Sequence, residues 1–124
     1  MKKKKDASAQ APRAVGVIDI GSTSIRLTIA EGRGGGAFAV LERAQQSVAI
    51  GREVVASRRI SNATVEKCVS ILRSYQSLLG EYGVPLETVS VTATAAVREA
   101  ENCDAFIDRL AVATADAADA IERD

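Results

Sequence analysis

The pattern of hydrophobic positions divides the chain into strand-like and helix-like segments. A nearly continuous apolar run over residues 14–20 is typical of a central β-strand covered on both faces. After a short polar turn, Ile25, Leu27 and Ile29 alternate with polar or smaller residues, which is the period of a second strand. Beyond a glycine-rich break, residues 37–50 predict a third strand, and three strands so close in sequence favour an antiparallel meander.

After the predicted meander, apolar residues recur at helical spacing. Ser61 is the predicted N-cap of a long amphipathic helix, after which residues 88–92 predict a short strand. Because a long helix precedes that strand, a right-handed crossover would lay it parallel to an earlier one. A second amphipathic helix carries Phe106 and Leu110 on its apolar face, with Asn102 as its predicted cap. This order predicts an α/β fold with a mixed sheet and crossover helices.

The last segment, residues 111–124, reads AVATADAADAIERD and is rich in alanine. Ala111, Ala115, Ala118 and Ile121 fall on one helical stripe, so the segment predicts helix rather than strand. We therefore expect this segment to add no strand to the sheet, whose open edge could dock a second chain or a second copy.

Composition adds limits on domain number and compartment. With 124 residues the chain predicts one lobe over residues 14–124, preceded by a disordered basic leader over residues 1–13 with four lysines. The 16 basic and 16 acidic residues balance, which favours neither nucleic acid nor a membrane as a partner. The leader lacks the apolar stretch of a signal peptide, and no other run is long enough to span a bilayer. The expected compartment is therefore the cytoplasm.

The residue inventory also excludes several chemistries. The chain has no histidine, so histidine-containing triads and imidazole metal ligands are ruled out. Cys68 and Cys103 lie far apart without the spacing of a metal site, and they are predicted to be buried or half-buried thiols in a reducing compartment. Any site must use carboxylates, Arg, Lys, hydroxyls, main-chain amides or a hard cation.

The segment DIGSTSIR, residues 19–26, is the first candidate site. An acid, a glycine and three hydroxyl residues follow a buried strand, so several main-chain N–H groups lack a strand partner and can bind phosphate as an anion nest. Asp19 beside the nest is the predicted Mg²⁺ ligand, directly or through water. Gly21, Ser22, Thr23 and Ser24 are the predicted phosphate-binding residues. The alternative is an ordinary hairpin turn whose polar residues face solvent.

A second candidate lies at the end of the predicted parallel strand. Ligands of open α/β sheets bind at the carboxyl ends of parallel strands, so Thr92 and Asp19 should emerge at the same edge if their strands are neighbours. Arg98 follows about one helical turn later and could clamp phosphate oxygens with its guanidinium. Thr92 and Arg98 are therefore further predicted phosphate-binding residues. The alternative for Arg98 is a surface ion pair with Glu99 or Glu101, which would contribute little.

Three segments together resemble a known family. They are VGVIDIGSTSIRLTIAE, ISNATVEKCVSILRSYQSLLGEYGV and VTATAAVREAENCDAFIDRL, which cover roughly residues 14–110. In this order they are similar to the amino-terminal subdomain of the exopolyphosphatase and guanosine pentaphosphate phosphohydrolase family. That family belongs to the actin, sugar kinase and heat-shock-protein ATPase superfamily, which has a ribonuclease-H-like core.

The resemblance implies a Mg²⁺-dependent hydrolase that releases terminal phosphate from polyphosphate or converts pppGpp to ppGpp. It assigns metal binding to Asp19, the phosphate cradle to the Gly21 turn and a catalytic, charge-stabilising role to Arg98. One departure is Thr23, which stands where many relatives would have asparagine. Relatives also continue into a strand, a Ser-Gly-Glu-Glu-Ala-like segment with the general base, and a second lobe. The tail IERD does not match that segment, and Glu122 is not assigned as the base, so efficient turnover by this chain alone is not expected.

Two other functions remain open at this point. The chain could be a catalytically inactive interaction or regulatory module that keeps the phosphatase fold and pairs with another chain through its sheet edge. It could also be a nucleotide binder similar to sugar kinases, since a strand ending in Asp-x-Gly-Ser occurs in those proteins too. Binding of short polyphosphate compared with ATP would discriminate between the phosphatase and the nucleotide binder.

Overall fold

Five strands form one mixed sheet in the computed structural model, which describes residues 13–114 and 121–122. The elements are β1 (Arg13–Ile20), β2 (Ser24–Gly32), β3 (Phe38–Ser47), α1 (Ile50–Ser57), α2 (Asn62–Glu81), a 3₁₀ turn (Leu86–Thr88), β4 (Val89–Ala93), α3 (Ala95–Arg98), α4 (Cys103–Thr114) and β5 (Ile121–Glu122). Arg13, which the sequence placed in the leader, instead begins β1 opposite Gly32. The rest of the predicted leader, residues 1–12, lies outside the described residues.

The strand order is β3–β2–β1–β4–β5. β1 is antiparallel to β2 and parallel to β4, and β2 is antiparallel to β3, so the predicted meander with one parallel crossover strand is confirmed. The register sets Asp19 between Arg26 on β2 and Thr92 on β4. The carboxyl ends of β1 and β4 therefore meet at one edge of the sheet, as the site prediction requires.

The prediction of a helical tail without a final strand holds at residues 111–114, which are helical, and is wrong at residues 121–122, which form a strand. α4 ends at Thr114, and Ile121–Glu122 pair in parallel with Val91 and Thr92. Alanine favours helix locally, but the outer edge of β4 offers unpaired N–H and C=O groups that a strand can satisfy. At these two positions the edge that was predicted to be bare is already paired. The remaining tail residues, 115–120 and 123–124, lie outside the described residues.

Helix α1 was missed by the sequence analysis. The third strand ends at Ser47, and Ile50 and Val54 bury one face of a new helix whose Val55 is 86% exposed. Its N-cap residue, Ala49, makes no side-chain capping hydrogen bond, so the usual hydroxyl or carboxylate marker of a helix start is missing. The adjacent β-branched residues Val54 and Val55 at its centre also weaken the helical signal, because such residues have lower helix propensity.

The hydrophobic core lies on one face of the sheet. Alternate strand residues point into it and pack against the apolar sides of α2 and α4, among them Ile18, Ile20, Ile25, Leu27, Ile29, Val89 and Val91. On the opposite face Val17 is 44% exposed. The expectation that β1 is covered on both faces is therefore wrong for the described residues, because the core residues of β1, β2 and β4 share one side.

Tyr75 of α2 connects the helix layer to the sheet. Its side chain is 1% exposed, and its hydroxyl donates a hydrogen bond to the Ile25 carbonyl at 2.6 Å. The main-chain amide of Gln46, the register partner of Ile25 on β3, also hydrogen-bonds this hydroxyl. Burial raises the pKa of the Tyr75 phenol, so the hydroxyl stays protonated and can donate. The phenol thus joins β2 to β3 next to the turn that follows β1.

The two cysteines form no disulfide within the described part of the chain. Cys68 is buried, Cys103 is half-buried, and both placements agree with the prediction. Burial is the main reason that the pKa of the Cys68 thiol rises to about 12, so Cys68 is not a nucleophile at neutral pH. No helix within residues 13–114 has the length and apolar character needed to cross a bilayer.

The start of α2 is capped as predicted, with an additional partner. The Ser61 hydroxyl accepts the Thr64 amide at 3.2 Å, and the Glu53 carboxylate of α1 accepts both the Ser61 amide at 2.8 Å and the Thr64 hydroxyl at 2.6 Å. Asn102, by contrast, does not cap α4 with its side chain. Its amide group pairs with both the N–H and the C=O of Ile60, each at 2.9 Å. The segment after α3 is thereby fastened to the loop between α1 and α2.

We expect Glu53→Gln to lower stability at pH 7 but much less in acid. Burial works to raise the pKa of Glu53, but the hydrogen bonds from Thr64 and Ser61 outweigh it and hold the pKa below its ordinary value of 4.5. A depressed carboxyl pKa stabilises the folded chain above the unfolded pKa, and this contribution is lost as the pH falls through the folded pKa. Urea unfolding of both proteins at pH 7 and pH 3.5 measures the difference. A difference of equal size at both pH values would contradict the prediction.

Candidate functional site

The predicted phosphate turn, residues 21–23, connects β1 to β2 at the carboxyl end of β1. The Gly21 amide donates to the Ser24 carbonyl at 2.9 Å, so this amide is engaged inside the turn. A Cβ atom on Gly21 would lie 3.1 Å from that same carbonyl oxygen, which explains why glycine fits here. The prediction that the Gly21 amide joins an anion nest is therefore corrected, since the hydrogen bond that closes the turn uses it.

Two other amides of the turn are available. The carbonyls of Ser22 and Thr23 accept hydrogen bonds from the amides of Gly51 at 2.9 Å and Val48 at 3.0 Å. Within the described part of the chain, no main-chain or side-chain group accepts a hydrogen bond from the Ser22 or Thr23 amide. The turn therefore offers two consecutive main-chain donors, which is the arrangement that binds an anion.

The three hydroxyl residues of the segment differ in exposure. Thr23 is exposed and Ser22 is half-buried, whereas Ser24 is only 6% exposed and begins β2 opposite Ser47. The hydroxyls of Ser22 and Thr23 are thus the ones accessible to a ligand from solvent. Ser24 was also predicted to contact phosphate. Its side chain is buried at the start of a paired strand and is not open to a ligand from solvent.

Asp19 and Thr92 lie side by side, as the sequence analysis expected for neighbouring strands. They are register partners on β1 and β4, and the Thr92 hydroxyl donates to Asp19 Oδ1 at 3.3 Å. Both side chains point away from the core, because the core residues of β1 and β4 are their immediate neighbours along each strand. Asp19 is half-buried and Thr92 is exposed.

The Asp19 carboxylate fits a metal ion only in a water-rich arrangement. Within residues 13–114, no three Asp, Glu, Cys or His side chains gather into a metal-binding group. One carboxylate oxygen beside a hydroxyl is compatible with Mg²⁺, since this ion usually keeps several waters and takes one or two carboxylates together with substrate phosphate. Asp19 would therefore hold the metal with waters and phosphate oxygens completing the coordination shell.

Arg98 lies at the end of the same strand pair. Its Nη1 donates to the Ala93 carbonyl at 2.8 Å, and Ala93 is the register partner of Ile20, the residue before the turn. Among the described residues neither Glu99 nor Glu101 forms the alternative ion pair with Arg98, and Glu101 lies 3.9 Å from Arg59 instead. One hydrogen bond leaves the other guanidinium donors of the exposed Arg98 available to a ligand.

The comparisons with known proteins decide the family. A model described as the Ppx/GppA phosphatase family matches residues 28–123, which is more than half of the 124 residues. The chain belongs to the Ppx/GppA phosphatase family. The resemblance in the sequence segments is thereby confirmed at the level of the family.

Solved structures of Ppx/GppA proteins share the fold. A crystal structure of an Aquifex aeolicus family member is 28% identical with a TM-score of 0.79, covering 90% of this chain and 35% of that chain. Another structure of an Aquifex aeolicus PPX-GPPA enzyme is 31% identical with a TM-score of 0.76, covering 84% and 34%. A crystal structure of an exopolyphosphatase from Cytophaga hutchinsonii is 24% identical with a TM-score of 0.74, covering 82% of this chain and 32% of that chain. At this identity the match supports the fold alone. The chain spans about a third of the length of these proteins.

Thr94 is a residue of this Ppx/GppA chain that the sequence analysis did not assign to the site. Its amide donates to the Ile20 carbonyl at 3.0 Å, which places it directly beside the turn. Its hydroxyl is buried and has no hydrogen-bond partner among the residues that the structure describes, although Thr94 is the N-cap residue of α3. The pattern Thr-Ala-Thr at the end of β4 was the available sequence marker, since the two hydroxyl residues flank Ala93, the last buried residue of the strand.

Proposed function

We propose that this chain is the phosphate-binding amino-terminal lobe of a phosphoanhydride hydrolase that releases terminal phosphate from inorganic polyphosphate or pppGpp. The observation that carries the proposal is the pair of available amides at Ser22 and Thr23 in the turn that follows β1. The Asp19–Thr92 pair lies on β1 and β4, and the Arg98 guanidinium is bonded to the end of β4. Family membership gives the reaction class. The cytoplasm remains the proposed compartment, in keeping with two cysteines that form no disulfide with each other.

Each residue has a distinct part in binding the terminal phosphate. The Ser22 and Thr23 amides would donate to its oxygens, and the Arg98 guanidinium would neutralise charge that spreads over them as the phosphoanhydride bond breaks. Bound Mg²⁺ supplies charge stabilisation of the phosphate oxygens. Asp19 would hold the metal or its water, and Thr92 keeps the Asp19 carboxylate in place by its hydrogen bond.

Turnover is proposed for this lobe together with the parts that complete a Ppx/GppA enzyme. Because this chain spans about a third of its solved relatives, it is expected to bind phosphate chains but to hydrolyse them poorly by itself. Absence of a general base alone typically costs about 100- to 10,000-fold in rate. A phosphate-release assay with long polyphosphate and with pppGpp tests this, and turnover equal to that of a full-length relative would contradict it.

Binding can be mapped directly on the turn. We expect tripolyphosphate with Mg²⁺ to shift the amide resonances of Ser22 and Thr23 in ¹H–¹⁵N spectra, while the Gly21 amide, which stays bonded to Ser24, shifts less. Asp19→Asn keeps an acceptor for Thr92 but removes the charge, so it should abolish the dependence of binding on Mg²⁺. Parallel titrations with pppGpp and with ATP distinguish the phosphatase function from the nucleotide-binder alternative. Shifts with ATP alone, or none at the turn with any ligand, would refute the proposal.

A further inference from the structure

The phosphate turn is held in place by the junction between β3 and α1. Val48, just past the end of β3, donates its amide to the Thr23 carbonyl at 3.0 Å, and Gly51 in the first turn of α1 donates to the Ser22 carbonyl at 2.9 Å. These contacts join parts of the chain that are more than 20 residues apart in sequence. The orientation of the turn therefore depends on a segment that carries no side chain of the proposed site.

The contact between Gly51 and Ser22 serves both partners. The first amides of a helix have no acceptor within the helix, and the N-cap residue of α1, Ala49, supplies no side-chain acceptor. The Ser22 carbonyl accepts one of these amides and so takes over part of the capping role. In return, the start of α1 fixes the direction of the Ser22 carbonyl.

That direction also determines where the Thr23 amide points. The Ser22 carbonyl and the Thr23 N–H belong to one planar trans peptide unit, in which C=O and N–H point in opposite directions. A Ser22 carbonyl bonded to Gly51 therefore turns the Thr23 N–H away from the start of α1, where no described group accepts it. One of the two available donors of the site is oriented by this hydrogen bond.

Only glycine permits this contact at its observed distance. A Cβ atom on Gly51 would lie 2.7 Å from Ser22 Cβ and 3.4 Å from both the Ser22 carbonyl oxygen and the hydroxyl oxygen. Two Cβ atoms are fixed to their backbones, so neither can rotate out of the way as the end of a long side chain could. The requirement is one of close approach, since Gly51 does not have a positive φ angle.

We propose that Gly51 is a positioning residue for the phosphate turn, which it orients by donating to the Ser22 carbonyl at a distance that no other residue allows. Any larger residue pushes the turn away from α1, rotates the peptide between Ser22 and Thr23, and misdirects the Thr23 donor. The inference rests on the proposed function for the nature of the anion, whereas the geometry of the turn can be measured without any ligand.

The test compares two Gly→Ala variants that differ in what the added methyl group meets. We expect Gly51→Ala to shift the free-protein resonance of the Thr23 amide and to weaken tripolyphosphate binding about tenfold or more, the effect of losing one hydrogen bond to a charged ligand. Gly80→Ala is the control, because Gly80 lies in α2 with nothing within 4 Å of the added Cβ. Its affinity and its Thr23 resonance should equal those of the wild type.

A rescue variant separates positioning from general damage. In a Ser22→Gly background the conflicting Cβ is absent, so adding Gly51→Ala should change affinity less than twofold and restore the Thr23 resonance of the Ser22→Gly protein. Wild-type behaviour of Gly51→Ala, or an equal loss in both backgrounds, would overturn the proposal. If Gly51→Ala does not fold, the wild-type protein provides the test. The proposal requires a measurable scalar coupling across the hydrogen bond from the Gly51 N–H to the Ser22 carbonyl, and absence of this coupling would overturn it.

The outcomes also separate this inference from the proposed function. If the wild type does not bind tripolyphosphate, the proposed function fails, and the Thr23 resonance in the free variants still decides the role of Gly51. If the wild type binds but the Thr23 resonance is unmoved by Gly51→Ala, the positioning role is wrong and the proposed function stands.

Discussion

Replacing Tyr75 with alanine should lower the free energy of unfolding by about 3–5 kcal/mol, the typical cost of deleting a buried aromatic side chain. Tyr75 is among the largest fully buried side chains of the core, and its loss leaves a cavity between α2 and the sheet. Since folded domains are stable by only about 5–15 kcal/mol, the variant should be close to unfolding at 37 °C. Chemical denaturation followed by circular dichroism measures the change.

Tyr75→Phe isolates the hydroxyl. This change keeps the ring but removes the group that joins the Ile25 carbonyl to the Gln46 amide, so we expect a loss of about 1–3 kcal/mol from unsatisfied buried polar groups. The matched control is Tyr82→Phe, because the Tyr82 hydroxyl donates to the Glu42 carboxylate at 2.7 Å on the exposed surface. A Tyr82→Phe effect as large as that of Tyr75→Phe would contradict the argument that burial makes the Tyr75 bonds costly to lose.

Replacing Arg98 with glutamine should weaken tripolyphosphate binding about 10- to 100-fold, the range for losing a charged hydrogen-bond donor to an anion. The guanidinium is held at the end of β4 by the Ala93 carbonyl, which leaves its remaining donors for phosphate. Arg98→Lys keeps the charge but lacks the planar fork, so its affinity should lie between those of Arg98→Gln and the wild type. Isothermal titration calorimetry at constant ionic strength checks the three proteins.

A control for charge is available at the other end of the sheet. Arg33 follows the end of β2 that is remote from the turn and pairs with Glu31 at 2.9 Å. Arg33→Gln removes the same charge, and its affinity should stay within twofold of the wild type. If both glutamine variants lose affinity equally, the effect of Arg98 is a general charge effect, and its assignment to the phosphate site is wrong.

The proposed site was found in the sequence because its residues mark the ends of strands. Asp19 and Thr92 end strongly apolar runs, and the crossover rule predicted that the second strand is parallel to an earlier one. The structure shows that this earlier strand is β1, so the two residues are register partners. The available donors of the turn could not be identified in this way. Which amide is free depends on acceptors elsewhere, and the sequence gives no sign that Ser24 engages the Gly21 amide.

Two contacts whose partner is a main-chain group were not predicted from the sequence. Asn102 was predicted as a helix cap from its residue type, whereas its amide group fits the backbone of Ile60, some 40 residues earlier. Helix α1 lacks a capping side chain because the Ser22 carbonyl accepts the amide of Gly51. In both cases the partner is a main-chain group that every residue carries, so no residue type marks it.

The amino-acid sequence by itself determined the alternation of strands and helices apart from α1 and β5, the family, and the positions of Asp19, Thr92 and Arg98 at the carboxyl ends of two strands. The elements and the site positions follow from local periodicity and chain connectivity, whereas the family follows from the resemblance of three sequence segments. Only the tertiary structure decided that residues 121–122 pair with β4, that one face of the sheet holds the core, and that Ser22 and Thr23 are the available donors of the turn. Those outcomes depend on hydrogen bonds and close contacts between residues far apart in sequence, which local pattern does not specify.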